Sequence, residues 1–252
     1  MRIIDYKKLI NDIQSWIKNY VRSANAEGVV IGLSGGIDSA VTAALCVNAI
    51  GAKKVYGLSL PCESILQDIE DAELVARNLK MNFFIIDLTS VYNNYLTLVK
   101  NEIFPDKKAT ANLKARMRML TLYYFGQSKG NYLVAGTGNR AELAIGYFTK
   151  YGDAGVDFEP IGNLYKGEVR QIARVLNIPE RIIKKPPSPG LWAGQTDEGE
   201  IGLLYDTIDE ILYRFDHKLD YTDISEDDVE KVKMMMQKAK HKLNMPPIFK
   251  IN

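Results

Sequence analysis

The chain has 252 residues, of which 46% are hydrophobic, so it is long enough to bury the core of one α/β domain. Lys and Arg number 32 and Asp and Glu 31, so no field of one sign attracts a nucleic acid or an anionic membrane. No apolar run approaches the ~18 residues of a membrane span, and the two cysteines, Cys46 and Cys62, form no disulfide framework. We therefore expect a cytoplasmic protein with no nucleic-acid or membrane partner.

Hydrophobic periodicity predicts the elements of a parallel sheet covered by helices. Apolar residues at three- and four-residue spacings predict an amphipathic first helix over residues 4–24, and a β-branched run predicts a buried strand over 29–33. Predicted elements then alternate: a helix at 39–50, a strand at 55–60, a helix at 69–80, a strand at 82–88, a helix at 112–127 and a strand at 132–135. This alternation predicts an α/β, Rossmann-like, doubly wound parallel sheet.

Beyond the fourth strand the chain is predicted to consist of loops and helices. Residues 185–200 contain three prolines and three glycines, which favours a long irregular loop. A last helix is predicted to begin near Ser225, whose spacing to Asp228 is typical of a capping box, and to end near Leu243. We expect a single domain over 1–252, with an N-terminal helix (1–25), a nucleotide-binding core (28–180), the loop (185–200) and C-terminal helices (201–252).

A glycine-rich segment lies between the first strand and the next helix, and it comprises Gly32, Leu33, Ser34, Gly35, Gly36, Ile37, Asp38 and Ser39. Its glycines let backbone amides approach an anion at a helix N-terminus, so we expect it to bind phosphate. It matches neither the lysine-containing GxxxxGK[ST] loop nor the GxGxxG fingerprint. A carboxylate beside phosphates is repelled unless a divalent cation bridges them, so Asp38 predicts Mg²⁺. The alternative is an ordinary turn in which Asp38 complements the helix dipole.

The S-G-G-x-D-S string after a buried strand resembles the pyrophosphate-binding loop of the ATP pyrophosphatase superfamily. Members of that superfamily cleave ATP between the α and β phosphates, adenylylate an oxygen of the substrate, and let a nitrogen or sulfur nucleophile displace AMP. The resemblance implies this reaction type and the fold of the adenine-nucleotide alpha-hydrolase type. It leaves the substrate open.

Later strings narrow the choice of substrate. Together with the glycine-rich segment they look like NAD synthetase and follow that family's order: residues 112–118 (NLKARMR), 136–142 (GTGNRAE), 146–153 (GYFTKYGD), 190–198 (GLWAGQTDE) and His241-Lys242. The resemblance implies a ligase that adenylylates deamido-NAD with ATP and converts it to NAD with ammonia, releasing AMP and pyrophosphate. It also implies a homodimer with the dinucleotide across its interface, for which the apolar face of the first helix and Tyr20 are the expected contact.

The same resemblance assigns residues to ATP. Asp38 and Glu142 match the Mg²⁺ ligands, and two carboxylates from different strand ends suit a metal that clamps the triphosphate. Thr137, Lys166 and Ser188 match ATP contacts, and Lys166 would neutralise charge on the leaving group. The alternatives are a solvated charge for Glu142 and an exposed helix-start charge for Lys166.

For deamido-NAD, the matching positions are Arg116, Lys150, Asp153, His241 and Lys242, with Tyr20, Asn112 and Glu200 as further candidates. Arg and Lys donors suit a pyrophosphate and a carboxylate. Asp153 would orient or deprotonate ammonium, so Asp38, Asp153 and Lys166 are the predicted catalytic residues. An Asx-turn for Asp153 and a charge–dipole contact for His241 are the alternatives.

Three other functional hypotheses stay open. A tRNA-modifying pyrophosphatase would need a basic appendage, which the net charge of +1 does not indicate. An ATP-binding sensor on a similar fold would leave Asp38 and Glu142 without a role. Within the NAD synthetase family, ammonia could come from solution or from a separate glutaminase.

Overall fold

The structure, a computed structural model, describes residues 2–104, 106–188, 190 and 194–251. Its strands are β1 (Gly28–Gly32), β2 (Val55–Ser59), β3 (Asn82–Ile85) and β4 (Tyr132–Ala135). The helices in these ranges are α1 (Tyr6–Ser23), α2 (Ile37–Ile50), α3 (Leu66–Leu79), α4 (Thr89–Val99), α5 (Lys107–Lys129), α6 (Arg140–Ile145), α7 (Lys166–Val175), α8 (Glu180–Ile183), α9 (Asp197–Ile201), α10 (Tyr205–His217) and α11 (Glu226–Leu243), with a 3-10 turn at Ala52–Lys54.

The strands form a parallel sheet in the order β3-β2-β1-β4. β1 lies between β2 and β4, so Val29 is paired with Val55 on one side and with Leu133 on the other. Alternate β1 side chains enter different cores: Val29 and Ile31 pack with α1, α2 and α7, whereas Val30 packs with α4 and α5. Helices therefore cover both faces, which confirms the predicted doubly wound α/β fold.

The amphipathic first helix is confirmed, and it begins at Tyr6 because the preceding residue caps it. Asp5 Oδ1 accepts hydrogen bonds from the backbone N–H groups of Lys7 at 3.0 Å and Lys8 at 3.2 Å. Its apolar face packs against α2 and α7 within the same chain. This corrects the expectation that the face contacts a second copy, although Trp16 keeps 46% of its surface exposed.

Two helices and one helix start differ from the prediction. α5 begins at Lys107, five residues early, because Asp106 Oδ1 accepts a hydrogen bond from Ala109 N–H at 2.7 Å. α4 was not predicted, since Tyr92 is its one buried residue among those described and its apolar stripe is correspondingly weak. α9 interrupts the predicted 185–200 loop, and the hydroxyl of Thr196 caps it. The other predicted elements agree to within three residues at each end.

The last helix, α11, begins directly after Ser225 and ends at Leu243, as predicted. The expected capping box is absent, because the Ser225 side chain makes no capping hydrogen bond. α6, α10 and α11 bury Ile145, Ile208 and Val232 in a second apolar cluster beside the sheet. None of the helices in the described part of the chain is long and apolar enough to cross a membrane.

Candidate active site

A cavity of about 1070 Å³ opens at the carboxyl ends of β1, β2 and β4. Such a crevice is where ligands bind in doubly wound folds. Of the predicted site residues, Tyr20 and Gly35 do not line the cavity, whereas the others do: Gly32, Leu33, Ser34, Gly36, Ile37, Asp38, Ser39, Asn112, Arg116, Thr137, Glu142, Lys150, Asp153, Lys166, Ser188, Glu200, His241 and Lys242. The structure thus brings together residues that are far apart in the sequence.

The conformation of the phosphate loop, residues 32–39, is stabilised by hydrogen bonds of its own serine side chains. Ser39 Oγ donates to the Gly36 carbonyl at 3.1 Å and lies 3.1 Å from Ser34 Oγ. Gly35 has a φ of +75°, and a Cβ there would lie 2.4 Å from the Asp68 carbonyl oxygen, so only glycine fits. α2 starts at Ile37, so its N-terminal amides and dipole face the cavity beside this loop.

A buried lysine lies between the two carboxylates that were predicted to bind metal. Lys166 Nζ donates to Asp38 Oδ2 at 2.6 Å and to Glu142 Oε1 at 3.3 Å, and the Lys166 side chain is 1% exposed. Burial by itself would lower the pKa of Lys166, but the two carboxylates outweigh it and raise that pKa. Lys166 is therefore a permanent cation against the phosphate loop, which lacks a lysine of its own.

The start of α7 fixes Lys166 in this position. Asp209 of α10 is buried, and its carboxylate accepts hydrogen bonds from the backbone N–H groups of Lys166 at 3.1 Å and Gly167 at 2.8 Å. Burial raises the pKa of Asp209 to about 6, against the opposing effect of these two bonds. Helix α10 thus positions Lys166, which supplies the cation that the phosphate loop lacks.

Asp38 and Glu142 are the two carboxylates predicted to hold a metal. All four carboxylate oxygens are already engaged, because Asn139 Nδ2 donates to Asp38 Oδ1 at 3.0 Å and its backbone N–H to Glu142 Oε2 at 3.2 Å, while Lys166 bridges the other two oxygens. Burial raises the pKa of Glu142, and the Lys166 ammonium opposes that rise. In the described ranges, no three acidic, His or Cys side chains cluster as a metal site. Mg²⁺ commonly takes one or two carboxylates plus substrate phosphates, so the assignment of Asp38 and Glu142 to a metal that arrives with ATP stays a prediction.

Asp153 lies at another part of the cavity and faces its interior. Its Oδ1 accepts a hydrogen bond from Thr149 N–H at 2.9 Å, and the Thr149 hydroxyl donates to Asn112 Oδ1 at 2.8 Å. Desolvation by the surrounding protein raises the pKa of Asp153, although the hydrogen bond from Thr149 N–H opposes the rise. Asn112 and Asp153, both predicted site residues, are therefore joined through Thr149.

Basic residues from three parts of the chain meet at the cavity wall. Lys150 Nζ donates to the His241 carbonyl at 2.6 Å, and Arg116 Nη2 donates to the Lys150 carbonyl at 3.3 Å. Lys242 Nζ donates to the carbonyls of Gly146 at 2.7 Å and Phe148 at 2.8 Å. We call Arg116, Lys150, His241 and Lys242 the basic rim. Glu200 also lines the cavity, and its carboxylate accepts a hydrogen bond from Tyr147.

Tyr20 lies away from these residues. Its hydroxyl donates to the Asp157 carbonyl at 2.9 Å, and its ring stacks on Trp16 with centroids 5.7 Å apart. It is a packing residue within this chain. Of the predicted 190–198 string, residues 191–193 lie outside the described residues.

Sequence reasoning missed several residues that line the cavity. Arg118 donates from Nε to the Leu60 carbonyl at 3.0 Å, and Lys185 donates to the Gly35 carbonyl at 3.2 Å. The position of Arg118 two residues after Arg116 in the NLKARMR string was the available signal. For Lys185 the signal was weaker, because a lysine before two prolines has the composition of any exposed loop.

A further carboxylate lies beneath the turn that carries Thr137. Glu159 Oε2 accepts a hydrogen bond from Gly138 N–H at 3.1 Å, and a Cβ on Gly136 would lie 2.2 Å from this oxygen. Burial raises the pKa of Glu159 from 4.5 to about 8, and the nearby charges of Glu142 and Asp153 add to the rise. The raised pKa favours the protonated form of the Glu159 carboxyl at neutral pH in the folded protein.

This proton makes stability depend on pH. Because the folded pKa is raised, the contribution of Glu159 is complete below 4.5 and is lost as the pH rises through about 8. Glu159→Gln retains an acceptor for Gly138 and removes the titration. We expect the melting temperature of the unaltered chain to fall relative to that of the variant between about pH 5 and pH 9. Thermal unfolding by circular dichroism measures this, with the 63% exposed Glu230 changed to Gln as the control. Parallel profiles would contradict the expectation.

Known proteins resemble the chain over nearly its whole length. The sequence model of the NAD synthase family matches residues 9–246. The NH(3)-dependent NAD(+) synthetase of Carboxydothermus hydrogenoformans is 44% identical over 247 residues, which make up 97% of this chain and 98% of that protein. The solved NMN synthetase from Francisella tularensis has a TM-score of 0.88 and 35% identity, covering 98% of this chain and 100% of its own. The NH3-dependent NAD synthetase from Campylobacter jejuni, in complex with the nitrate ion, has a TM-score of 0.84 and 32% identity, with the same coverage.

Proposed function

The chain belongs to the NAD synthase family and is thus a ligase that forms a carbon–nitrogen bond using ATP and ammonia, and we propose that its acceptor is deamido-NAD. The observation that carries the proposal is the cavity itself, in which the phosphate loop pairs with the Lys166 ammonium at one part and the basic rim lies at another. ATP and a second nucleotide that contains a pyrophosphate would each require a group of cationic and amide donors of this kind. The sensor hypothesis is set aside, because the chain is an enzyme.

The first half-reaction transfers AMP to the nicotinate carboxylate. One carboxylate oxygen attacks the α-phosphorus of ATP, and the bond from that phosphorus to the β-phosphate oxygen breaks, so pyrophosphate leaves. The amides of the phosphate loop and the ammonium of Lys166 receive the charge that develops on the leaving group. Mg²⁺ bound with ATP would be held by Asp38 and Glu142 and would neutralise further phosphate charge.

The second half-reaction forms the amide. The lone pair of ammonia attacks the adenylylated carbonyl carbon, the nitrogen loses a proton, and AMP leaves with the electrons of the carbon–oxygen bond. Asp153 is our candidate for holding the incoming nitrogen, because its carboxylate faces the cavity and keeps one oxygen, Oδ2, outside the hydrogen bond to Thr149. Its raised pKa brings it closer to that of a useful proton acceptor.

The nitrogen donor in this proposal is free ammonia. Glutamine hydrolysis generally uses an activated cysteine nucleophile. Both cysteines, Cys46 and Cys62, are buried, and burial raises the pKa of each thiol, so neither is activated. Free, buried thiols also suit the reducing cytoplasm in which we propose that the enzyme works.

We further propose that the enzyme is a homodimer. Large apolar side chains are exposed along β3, α4 and α5, where Ile85, Tyr95, Leu98, Leu120 and Tyr124 each keep at least 48% of their surface accessible. A single soluble chain rarely leaves such a set of neighbouring apolar residues uncovered. This surface, in place of α1, is our candidate for the contact between subunits.

Product formation by the purified chain tests the function. With ATP, Mg²⁺, deamido-NAD and ammonium chloride, we expect NAD and AMP in equal amounts, and with glutamine as the donor we expect no more than background. Because one similar structure is that of an NMN synthetase, the deamido form of NMN is the acceptor to compare. A higher kcat/KM for that mononucleotide would overturn our acceptor, and efficient turnover with glutamine would overturn our donor.

A further inference from the structure

The phosphate loop has no lysine of its own, yet two lysines from later in the chain reach it. Lys166 pairs with Asp38 of the loop at 2.6 Å. Lys185 Nζ donates to the carbonyl of Gly35, also in the loop, at 3.2 Å. Both lysines line the cavity. The loop is therefore flanked by two cations, of which only Lys166 was predicted.

Lys185 is held in the same manner as Lys166, by two carboxylates. Its Nζ lies 2.7 Å from Asp68 Oδ1 and 2.6 Å from Asp71 Oδ2. Asp71 is 4% exposed, and its other oxygen is already paired with Arg181 Nη2 at 2.6 Å. Because Arg181 neutralises Asp71 by itself, Lys185 is not required to compensate that buried charge. All three N–H groups of the Lys185 ammonium are engaged, by Asp68, by Asp71 and by the Gly35 carbonyl. An incoming phosphate oxygen would therefore replace Asp71 as an acceptor, and Asp71 would keep its ion pair with Arg181.

The surroundings of Lys185 place it at one edge of the proposed phosphate site. The backbone of Gly35 rests on α3, so closely that a Cβ would lie 2.4 Å from the Asp68 carbonyl oxygen. On the far side, a Cβ on Gly190 would lie 3.4 Å from Asp68 Oδ2, which brings the segment carrying Ser188 to the same point. The side chain of Lys185 keeps 22% of its surface accessible, so solvent and ligand can reach it.

We infer that Lys185 is a second lysine of the pyrophosphate site, which donates to the β- and γ-phosphates of ATP and to the pyrophosphate that leaves. This inference rests on the function proposed above. Pyrophosphate carries several negative charges, and charge-assisted hydrogen bonds from more than one cation stabilise it better than a single ammonium does. The AMP half of ATP does not need this contact, so the effect of Lys185 is confined to the leaving group.

Binding of inorganic pyrophosphate and of AMP, each measured by calorimetry with Mg²⁺ present, tests the inference. In Lys185→Met we expect pyrophosphate affinity to fall by about ten- to a hundred-fold, with AMP affinity unchanged. The KM for ATP should rise and the KM for deamido-NAD should stay constant. The matched control is Lys184→Met, because Lys184 is the adjacent lysine, is 75% exposed, and pairs only with Glu180 among the described residues.

A second variant separates phosphate binding from support of the loop. Lys185→Gln keeps a hydrogen-bond donor for the Gly35 carbonyl and removes the charge, so it should lose pyrophosphate affinity as the methionine variant does. Unchanged pyrophosphate affinity in folded Lys185→Gln would overturn the inference, as would an equal loss of AMP and pyrophosphate affinity. If the unaltered chain binds pyrophosphate in a Lys185-dependent way and forms no amide, the proposed function fails while this inference stands.

Discussion

Asp38→Asn is expected to lower the rate of pyrophosphate release by about 10³-fold without unfolding the protein. Asp38 is the acidic residue of the phosphate loop, and its Oδ2 holds Lys166 Nζ at 2.6 Å. The substitution removes the negative charge that positions the Lys166 ammonium. It also removes one of the two carboxylates proposed to bind Mg²⁺. The side chain is 18% exposed at the cavity wall and is not part of the apolar core, so the fold should survive.

Glu142→Gln should behave similarly, because Glu142 Oε1 is the other partner of Lys166 at 3.3 Å. Pyrophosphate release at several Mg²⁺ concentrations measures both effects, and circular dichroism checks the fold. The control is Asp227→Asn, which also changes a first-turn aspartate of a helix but lies on α11 away from the cavity lining. Turnover equal to that of the control in either variant would refute the assignment.

Lys166→Met is expected to lower kcat by about 10²- to 10³-fold and to change the pH profile of what activity remains. The side chain is 1% exposed, and its ammonium is the cation between Asp38 and Glu142. Without it the two carboxylates repel each other, so the pKa of Glu142 rises above its already raised value. The acid limb of the rate profile should therefore move to higher pH.

This shift distinguishes a catalytic lysine from one that only supports the fold. The rate of NAD formation from about pH 6 to pH 9 measures the profile, and Lys231→Met, which removes a surface contact to the Gly202 carbonyl, is the control. A variant with lower activity but an unmoved acid limb would mean that Lys166 does not set the charge state of Glu142. A variant with full activity would remove Lys166 from the mechanism.

Local sequence signals predicted the parts of this fold that local forces determine. β4 was predicted with its observed bounds, since a short apolar run flanked by breakers leaves little choice. The start of α5 was missed because the Asp106 cap, and not the apolar pattern, decides where the helix begins. α4 was missed because Tyr92 is its one buried residue among those described and apolar residues such as Val91 and Leu98 are exposed, so no single apolar stripe marks the helix.

The sequence predicted which residues belong to the candidate site more fully than it predicted how they are arranged in space. Resemblance to a family named Asp38, Glu142 and Lys166, but nothing in their spacing says that the ammonium lies between the two carboxylates. Likewise, Lys185 has no local mark, because its partners Asp68 and Asp71 are on α3, more than a hundred positions earlier. Ion pairs of this kind depend on how distant elements pack.

The distance along the chain between Asp38 and Lys166, 128 positions, has a consequence for synthesis on the ribosome. All four strands have been made once residue 135 has emerged, so the sheet and its glycine-rich turn can form early. At that stage neither Lys166 nor Lys185 has been made, and Asp38 lacks its later ion-pair partner. A nascent chain therefore carries the crevice with the Asp38 carboxylate unpaired by Lys166, and this ion pair forms only after the chain beyond residue 166 has been translated.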